Sequence, residues 1–408
     1  MDYIILGNGI AGIQGALNIR RYDREGDITI ITDEEYGFYS RPMITDITTG
    51  KRRPEEIMLM GEEGYRAFGF KFMKGLSIKR IDLEKRCLYS SQDRIKFHRL
   101  LIATGARPKR IEKHRDGVYY LRSIKDALDI KRQLKNTKKA IVYGGGPVGI
   151  KAAYALLSWG MPVSIVVTSP QIMSRVFDKK TASVFQRLFE ENGARFYLGS
   201  SIEDLVWQKG LKGVVTDRGD YIDGGILIVG KGVVSHTEIA EDAGISVNEG
   251  IIVNDMMETS EDGIYAAGDV AETNTGPGNK GRVFALWHTG AEQGKVAGAN
   301  MAGEKKIYNG SVSSNSVEYF GMKAISMGTM EGEGLKEEIY EDKDGYRRFM
   351  FRDELLVGAI LVGNIQGAGI LLNAIKKGTP RSIWERDFLS SHWPCLSIHP
   401  NITMEVLF

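Results

Sequence analysis

Two stretches of this 408-residue chain, "LGNGIAGIQG" at residues 6–15 and "YGGGPVGIK" at residues 143–151, set three glycines at one shared spacing between a strand-length apolar run and a helical pattern. Gly7, Gly9 and Gly12 in the first, and Gly144, Gly146 and Gly149 in the second, fit a tight turn after a strand, close approach of backbone to a pyrophosphate, and close packing of helix on sheet. The flanking segments agree. "YIILG", a helix from about Ile10 to Arg21 and "DITIIT" make one β-α-β unit; "AIVYG", a helix from about Val148 to Trp159 and "VSIVV" make another. Gly7 and Gly144 are 137 residues apart, which excludes a short-period solenoid and predicts two separate dinucleotide-binding domains on parallel, doubly wound sheets.

After Gly303 the texture changes to short strand-like pieces, "KAISMG", "RRFMF" and "LLVGAILVG", around the acidic stretch "EGEGLKEEIYEDKDG". The expected fold class is therefore α/β, with two Rossmann-like dinucleotide-binding domains and a small C-terminal α+β domain. The acidic stretch reads first as a solvated hairpin and second as a docking surface, and the basic loop "RPKRIEKHR" at residues 107–115 reads the same way.

Charge narrows the partners. With 54 basic and 52 acidic residues the formal net charge is +2, so nothing global points to nucleic acid or an anionic membrane. Two cysteines, Cys87 and Cys395, are too few for a disulfide framework, a four-cysteine zinc site or a protein-held iron-sulfur cluster; they read as two unrelated thiols, and no metal site is expected. No apolar run approaches the roughly 18 residues that span a bilayer. The chain opens on "YIIL", a strand rather than a secretory signal, so a reducing, cytoplasmic setting is expected. The closing "MEVLF" resembles part of a viral protease recognition site of the kind left by expression vectors and is kept out of the fold argument.

The two loops differ in the strand end that succeeds each of them. Twenty-two residues past Gly12, Glu34 stands beside Asp33 at the end of the next strand, where a carboxylate can accept both ribose hydroxyls. Ile10 and Ala11 open the helix whose unpaired N–H groups face the phosphates, as Pro147 and Val148 do in the second unit. The second unit has no such acid: Val167, Thr168 and Ser169 stand where one is expected, and nothing there repels a 2′-phosphate. Arg175 is near enough in sequence to pair with one, or else is an ordinary surface arginine.

"LLIATGARP" at residues 100–108 and "GIYAAGDVAE" at residues 263–272 are common strand ends singly, but together with both glycine loops, in this order, they are specific. On these motifs, and on "YSRPMI", "ALWHTGAEQGKVAGANMAG" and "LLVGAILVG", the chain resembles the FAD-dependent pyridine nucleotide oxidoreductases over nearly its whole length, most of all the rubredoxin reductase and nitrite reductase flavin-module branch. The resemblance implies an FAD domain from residues 1–110 and 240–305, an NAD(P) domain from 111–239, and an interface or docking domain from 306–408. It implies that Gly7, Gly9, Gly12 and Glu34 take the FAD pyrophosphate and adenosine, that Arg41 and Pro42 lie near the isoalloxazine, that Asp269 holds the ribityl chain, and that Trp287 lies by the pyrimidine side. Ile78, Ala103, Thr104, Gly105 and Gly268 are further FAD contacts on the same basis; the second loop takes NAD(P)H, with Gly230 and Thr168 bordering its path.

Departures from the family then sharpen the expectation. The disulfide reductases and peroxidases of the superfamily need a redox cysteine near the position of Arg41, and this chain has none there. Lys151 stands where the family often has a glutamate close to nicotinamide and flavin; with Arg41 it is a candidate catalytic residue that could pair with an acid or stabilise negative charge. His288, beside Trp287, reads as structural. Without its own cysteines or clusters, such a flavoprotein is expected to pass electrons between NAD(P)H and an external iron-sulfur carrier, a rubredoxin, a ferredoxin or an iron-sulfur subunit, as a homo-oligomer or as part of a hetero-oligomeric complex. An oxygen-reducing NAD(P)H oxidase and a noncatalytic FAD-bound scaffold or redox sensor are the alternatives.

Overall fold

A computed structural model of the chain describes residues 1–112, 116–274, 281–343 and 345–380. Cys395, the "MEVLF" ending and the last three residues of the basic loop at 107–115 lie outside them. The chain divides into one compact unit of Met1–Arg175 with Ala182–Ser311, and another of Val176–Thr181 with the chain from Val312 onward.

The first unit holds two five-stranded parallel sheets. One has the order Ile264–Ala266, Arg99–Ile102, Asp2–Leu6, Asp27–Ile31, Phe70–Met73; the other has Val118–Tyr120, Ile226–Val229, Ala140–Tyr143, Val163–Val167, Ala194–Leu198. Their central strands are continuous apolar runs because both faces are covered: Ile5, Leu101 and Ile102 in the first sheet, and Ile141, Val142 and Leu227 in the second, are completely buried. Each such side chain contributes roughly 1.5–3 kcal/mol on burial.

The glycine-rich "ALWHTGAEQGKVAGANMAG" segment is explained by packing. Helix Trp287–Met301 lies on helix Ile10–Tyr22 so closely that a Cβ at Gly294 would sit 2.2 Å from Ala11 O, and one at Gly298 would sit 2.2 Å from Gly15 O. Glycine on one helix lets two backbones touch, which fixes both Trp287 and the first glycine loop relative to the sheet.

The second unit is a five-stranded antiparallel sheet, ordered Ser314–Tyr319, Met322–Gly328, Leu355–Gly363, Gly345–Arg352, Leu335–Asp342, with helix Ala368–Lys377 packed on it around Phe349, Phe351, Leu361 and Leu371. The acidic stretch is one arm of a hairpin; most of its described acids are exposed, and three of them are also ion-paired. Leu335–Asp342 pairs along its length with Gly345–Arg352, Glu337 bonds Arg348, Asp342 bonds the buried Arg347 at 3.1 Å, and Glu341 bonds Lys180 at 2.5 Å. Residues Arg107 and Pro108 of the basic loop likewise form a strand, paired with Val233–Ser235, and Arg107 pairs with Glu238.

Candidate functional site

Both glycine loops leave the C-terminal ends of their sheets with the same hydrogen bonds. Gly7 N donates to Ile31 O at 2.8 Å and Gly144 N to Val166 O at 2.9 Å, each joining the loop to the neighbouring strand. Gly7 has φ +122° and Gly144 φ +133°; a Cβ would lie 2.0 Å from Ala103 O at the first and 2.2 Å from Gly230 O at the second. The carbonyls of Ala103 and Gly230 thus occupy one corresponding place in the two halves, and a Cβ at Gly230 would itself lie 2.9 Å from Gly149 Cα. Gly12 and Gly149 are needed for packing, since a Cβ on either would fall 2.0 Å from the carbonyl oxygen of the loop's first glycine.

The middle glycines behave differently. Among the described residues a Cβ at Gly9 or Gly146 would meet nothing within 4 Å, so none of them demands glycine at either position. Each caps its helix without a side-chain hydrogen bond, and neither helix carries an acid in its first turn, so the first N–H groups remain open to an anion. A pair of glycines whose only evident use is to admit a close ligand fits the pyrophosphates of two dinucleotides.

Around the first loop, Asn8 is held by Tyr65, whose hydroxyl donates to Asn8 Oδ1 at 2.7 Å and accepts from Phe38 N at 2.8 Å. Burial pushes the Tyr65 phenol up to about 12, so it stays a donor throughout the physiological range. Phe38 stacks on Trp287 with ring centroids 5.8 Å apart, placing the predicted tryptophan at the start of its helix beside the strand that leads into "YSRP". Ile78 is half-buried against the same apolar core, and Asp33 and Glu34 line an open cavity of about 720 Å³ together with Ser123, Lys125 and Arg132.

The resemblance assigns Glu34 to the adenosine and Arg41 to the isoalloxazine; in the structure the two side chains are bonded to each other. Arg41 Nη2 donates to Glu34 Oε1 at 2.5 Å, and the Tyr39 hydroxyl donates to Glu34 Oε2 at 2.6 Å, so both carboxylate oxygens are engaged. The physical reason is local: Glu34 stands three residues past strand Asp27–Ile31, Tyr39 and Arg41 follow five and seven residues later, and the carboxylate offers two acceptors to these two donors. Arg41 also donates to Tyr39 Oη and to the carbonyl of Arg122, each at 3.0 Å.

Arg122 is the residue that sequence reasoning missed. It follows strand Val118–Tyr120 of the second sheet and donates from Nη2 to Asp269 Oδ2 at 2.6 Å, so Glu34, Arg41, Arg122 and Asp269 form one connected chain of polar contacts. The Asp269 carbonyl accepts from Ser235 Oγ at 2.9 Å, and Gly268, with φ +84°, donates its N–H to Gln293 Oε1 at 2.8 Å. Thr104 donates to His236 O at 2.8 Å, and Gly105 follows it with φ +72°. A cue for Arg122 was present only as an arginine just before the Ser123 capping box of helix Ile124–Leu134.

Lys151, in the first helical turn after the second loop, donates from Nζ to the carbonyl of Pro42. Burial lowers its pKa from the ordinary lysine value, and Asp46 acts in the opposite direction. The structure therefore brings Arg41, Pro42 and Lys151 to one place, where the "YSRP" segment meets the second glycine loop's helix. Val148 is exposed beside them, whereas Arg175 is exposed and not part of this group. Cys87 is buried, with Sγ donating to Lys85 O at 3.2 Å and accepting from Arg94 Nε at 3.3 Å. Among the described residues no group of three or more His, Cys, Asp or Glu could hold a metal ion, and no helix is long and apolar enough to cross a membrane.

Comparison with known proteins agrees with this geometry. Residues 1–294 match the family described as "Pyridine nucleotide-disulphide oxidoreductase", and residues 314–379 match "Rubredoxin NAD+ reductase C-terminal domain". The nitrite reductase [NAD(P)H] of Bacillus subtilis is 30% identical over 92% of this chain but 47% of its own length, so the chain spans about half of that relative. The NADH-rubredoxin oxidoreductase of Clostridium acetobutylicum is 30% identical over 91% of this chain and 93% of its own. A crystal structure of NADH:rubredoxin oxidoreductase from that organism superposes with a TM-score of 0.78 at 28% identity, covering 93% of this chain and 96% of that one. With a family match over residues 1–294 and a 30% identical relative covered almost end to end, the chain belongs to the FAD-dependent pyridine nucleotide-disulphide oxidoreductase family, among members related to rubredoxin reductases.

Proposed function

We propose that this protein is an NAD(P)H-dependent FAD oxidoreductase that passes electrons between a nicotinamide cofactor and an iron-sulfur carrier of the rubredoxin or ferredoxin type. The observation that carries the reading is the repetition of one glycine-loop geometry in two sheets, with Gly9 and Gly146 both open to a ligand and Lys151 of the second helix bonded to Pro42 of the first half. Names of relatives that act on rubredoxin, and the C-terminal match, support the choice of carrier. Residues 1–110 and 240–305 are the FAD domain in this reading, 111–239 the NAD(P) domain and 306–408 the docking module.

FAD held at the first loop would supply acceptance of a hydride from a nicotinamide and one-electron release to an external carrier. The chain's own part is to bind, orient and exclude water. Gly7, Gly9, Gly12, Ile10 and Ala11 present the first pyrophosphate site, and Gly144, Gly146, Pro147, Val148 and Gly149 the second. Arg122 and Asp269 brace each other beside the Gly105 turn, while Lys151 keeps a cation at the junction of the two halves, where negative charge would be stabilised. Glu34 keeps acceptor capacity beyond its bonds to Arg41 and Tyr39, since a carboxylate offers about four lone-pair sites.

A cytoplasmic setting fits the cysteine usage, and either a homo-oligomer or a subunit of a redox complex fits the C-terminal module. The test is anaerobic mixing of FAD-loaded protein with NADH or NADPH, followed by a rubredoxin or ferredoxin. Bleaching by a nucleotide and fast reoxidation by the carrier support the reading. Fast turnover with oxygen that no carrier accelerates would favour an oxidase instead.

A further inference from the structure

At the second glycine loop the chain lacks the carboxylate that would accept both hydroxyls of an unphosphorylated ribose, and the structure puts a lysine at that place. Lys231 follows strand Ile226–Val229 by two residues. Its side chain crosses the face of Tyr143, at the end of the adjacent strand, with Nζ 4.3 Å from the ring centroid. It ends at Thr168, just past strand Val163–Val167, donating to Thr168 Oγ1 at 3.2 Å. One cation thus spans three neighbouring strand ends, at the crevice where doubly wound sheets bind dinucleotides.

We propose that this site takes the 2′-phosphorylated nicotinamide dinucleotide, with Lys231 and Thr168 receiving the 2′-phosphate and so setting a preference for NADPH over NADH. The inference rests on the second loop being the nicotinamide site and adds to that reading the identity of the nucleotide.

Four observations converge on it. Among the described residues Lys231 meets the Thr168 hydroxyl and the Tyr143 ring and pairs with no carboxylate, so none of them neutralises its charge. Bonded to one hydroxyl and set over one ring, the ammonium keeps N–H donors for a phosphate, and the Thr168 hydroxyl has a proton of its own to donate. Val167 is 2% exposed and packs beneath the loop, its Cγ1 only 2.5 Å from where a Cβ on Gly145 would be, so no acid stands at that strand end to repel a phosphate. Beyond it, the chain returns to the glycine loop through Met173 N donating to Gly145 O at 2.7 Å, which leaves the exposed Arg175 two residues past this anchor. Ser169 is not part of the receiver, because its Oγ is spent on Gln171 O at 2.6 Å.

The test is equilibrium binding to the FAD-loaded protein, by calorimetry, of NADP⁺, NAD⁺ and the probe 2′,5′-ADP, for the wild type and for Lys231→Gln and Lys231→Arg. A charge-assisted hydrogen bond to a phosphate predicts that NADP⁺ binds about tenfold or more tighter than NAD⁺ in the wild type. Lys231→Gln should weaken NADP⁺ and 2′,5′-ADP by a similar factor and leave NAD⁺ within about twofold, and Lys231→Arg should keep the preference. Equal or tighter binding of NAD⁺ to the wild type overturns the proposal, as does an equal loss for NADP⁺ and NAD⁺ in Lys231→Gln, which would make Lys231 a contact common to both. Binding of neither dinucleotide overturns the parent reading along with it; binding of NAD⁺ alone overturns only this one.

Discussion

Arg122 donates to Asp269 Oδ2 at 2.6 Å across 147 residues of sequence, tying the entry to the second sheet to the Gly-Asp turn of the first. Both side chains are half-buried, and the backbone carbonyl of Arg122 also accepts from Arg41. Arg122→Ala should therefore destabilise the protein by about 1–3 kcal/mol, because a half-buried carboxylate loses its partner. Arg122→Lys should recover part of this, keeping the charge without the planar fork. Urea unfolding and the flavin content of the purified variants measure both effects. A fully stable Arg122→Ala that retains its FAD would remove Arg122 from the account.

The glycines separate folding from binding. Gly12→Ala must displace the carbonyl of Gly7, an overpacking that costs about 1–3 kcal/mol or more and should lower the melting temperature. The new Cβ of Gly9→Ala meets no atom of the described residues within 4 Å, so its apoprotein should melt close to the wild type while its FAD content falls. Gly146→Ala should keep FAD and weaken nicotinamide nucleotide binding. If Gly9→Ala retains a full complement of FAD, the open space at Gly9 is not a pyrophosphate cradle.

These contrasts also show how much could be read in advance. Both sheets and both loops were legible because glycine spacing and unbroken apolar runs are local signals; the predicted helix from Ile10 to Arg21 is found at Ile10–Tyr22, and that from Val148 to Trp159 at Pro147–Ser158. Arg122 and Lys231 were not legible. Each acts through a partner far along the chain, Asp269 at 147 residues and Thr168 at 63, and nothing near them in sequence reports that distance. Glu34 and Arg41 differ, being only seven residues apart; their ion pair was not legible because the motifs assign each to a different part of FAD.

Lys151 gives a pH signature. Burial lowers its pKa from the ordinary 10.5, so between that lowered value and 10.5 the unfolded chain binds more protons here than the folded protein does. Its contribution to stability consequently rises with pH across this window. Lys151→Met should flatten that rise, seen as urea midpoints recorded from neutral to alkaline pH, and should slow flavin reduction by about tenfold with FAD content unchanged. Parallel midpoint curves for the two proteins would show that the half-buried Lys151 ammonium is not the source.

Cys87 supplies a negative prediction. Buried between Lys85 O and Arg94 Nε and remote in sequence from both glycine loops, it has no part in the proposed electron path. Cys87→Ala should transfer electrons at the wild-type rate, with only a modest loss of stability from the vacated sulfur. A large fall in carrier reduction at unchanged flavin content would point to thiol chemistry and against a purely flavin-based path.

The central claim is that nicotinamide nucleotide and iron-sulfur carrier communicate through FAD held by the first loop. Anaerobic stopped-flow spectroscopy of the FAD-loaded protein reads this directly. NADPH should bleach the flavin within the mixing series, and a second mixing with oxidised rubredoxin or ferredoxin should restore its absorbance as the carrier is reduced. A flavin that neither NADPH nor NADH bleaches, or a bleached flavin that neither carrier reoxidises, would contradict the account.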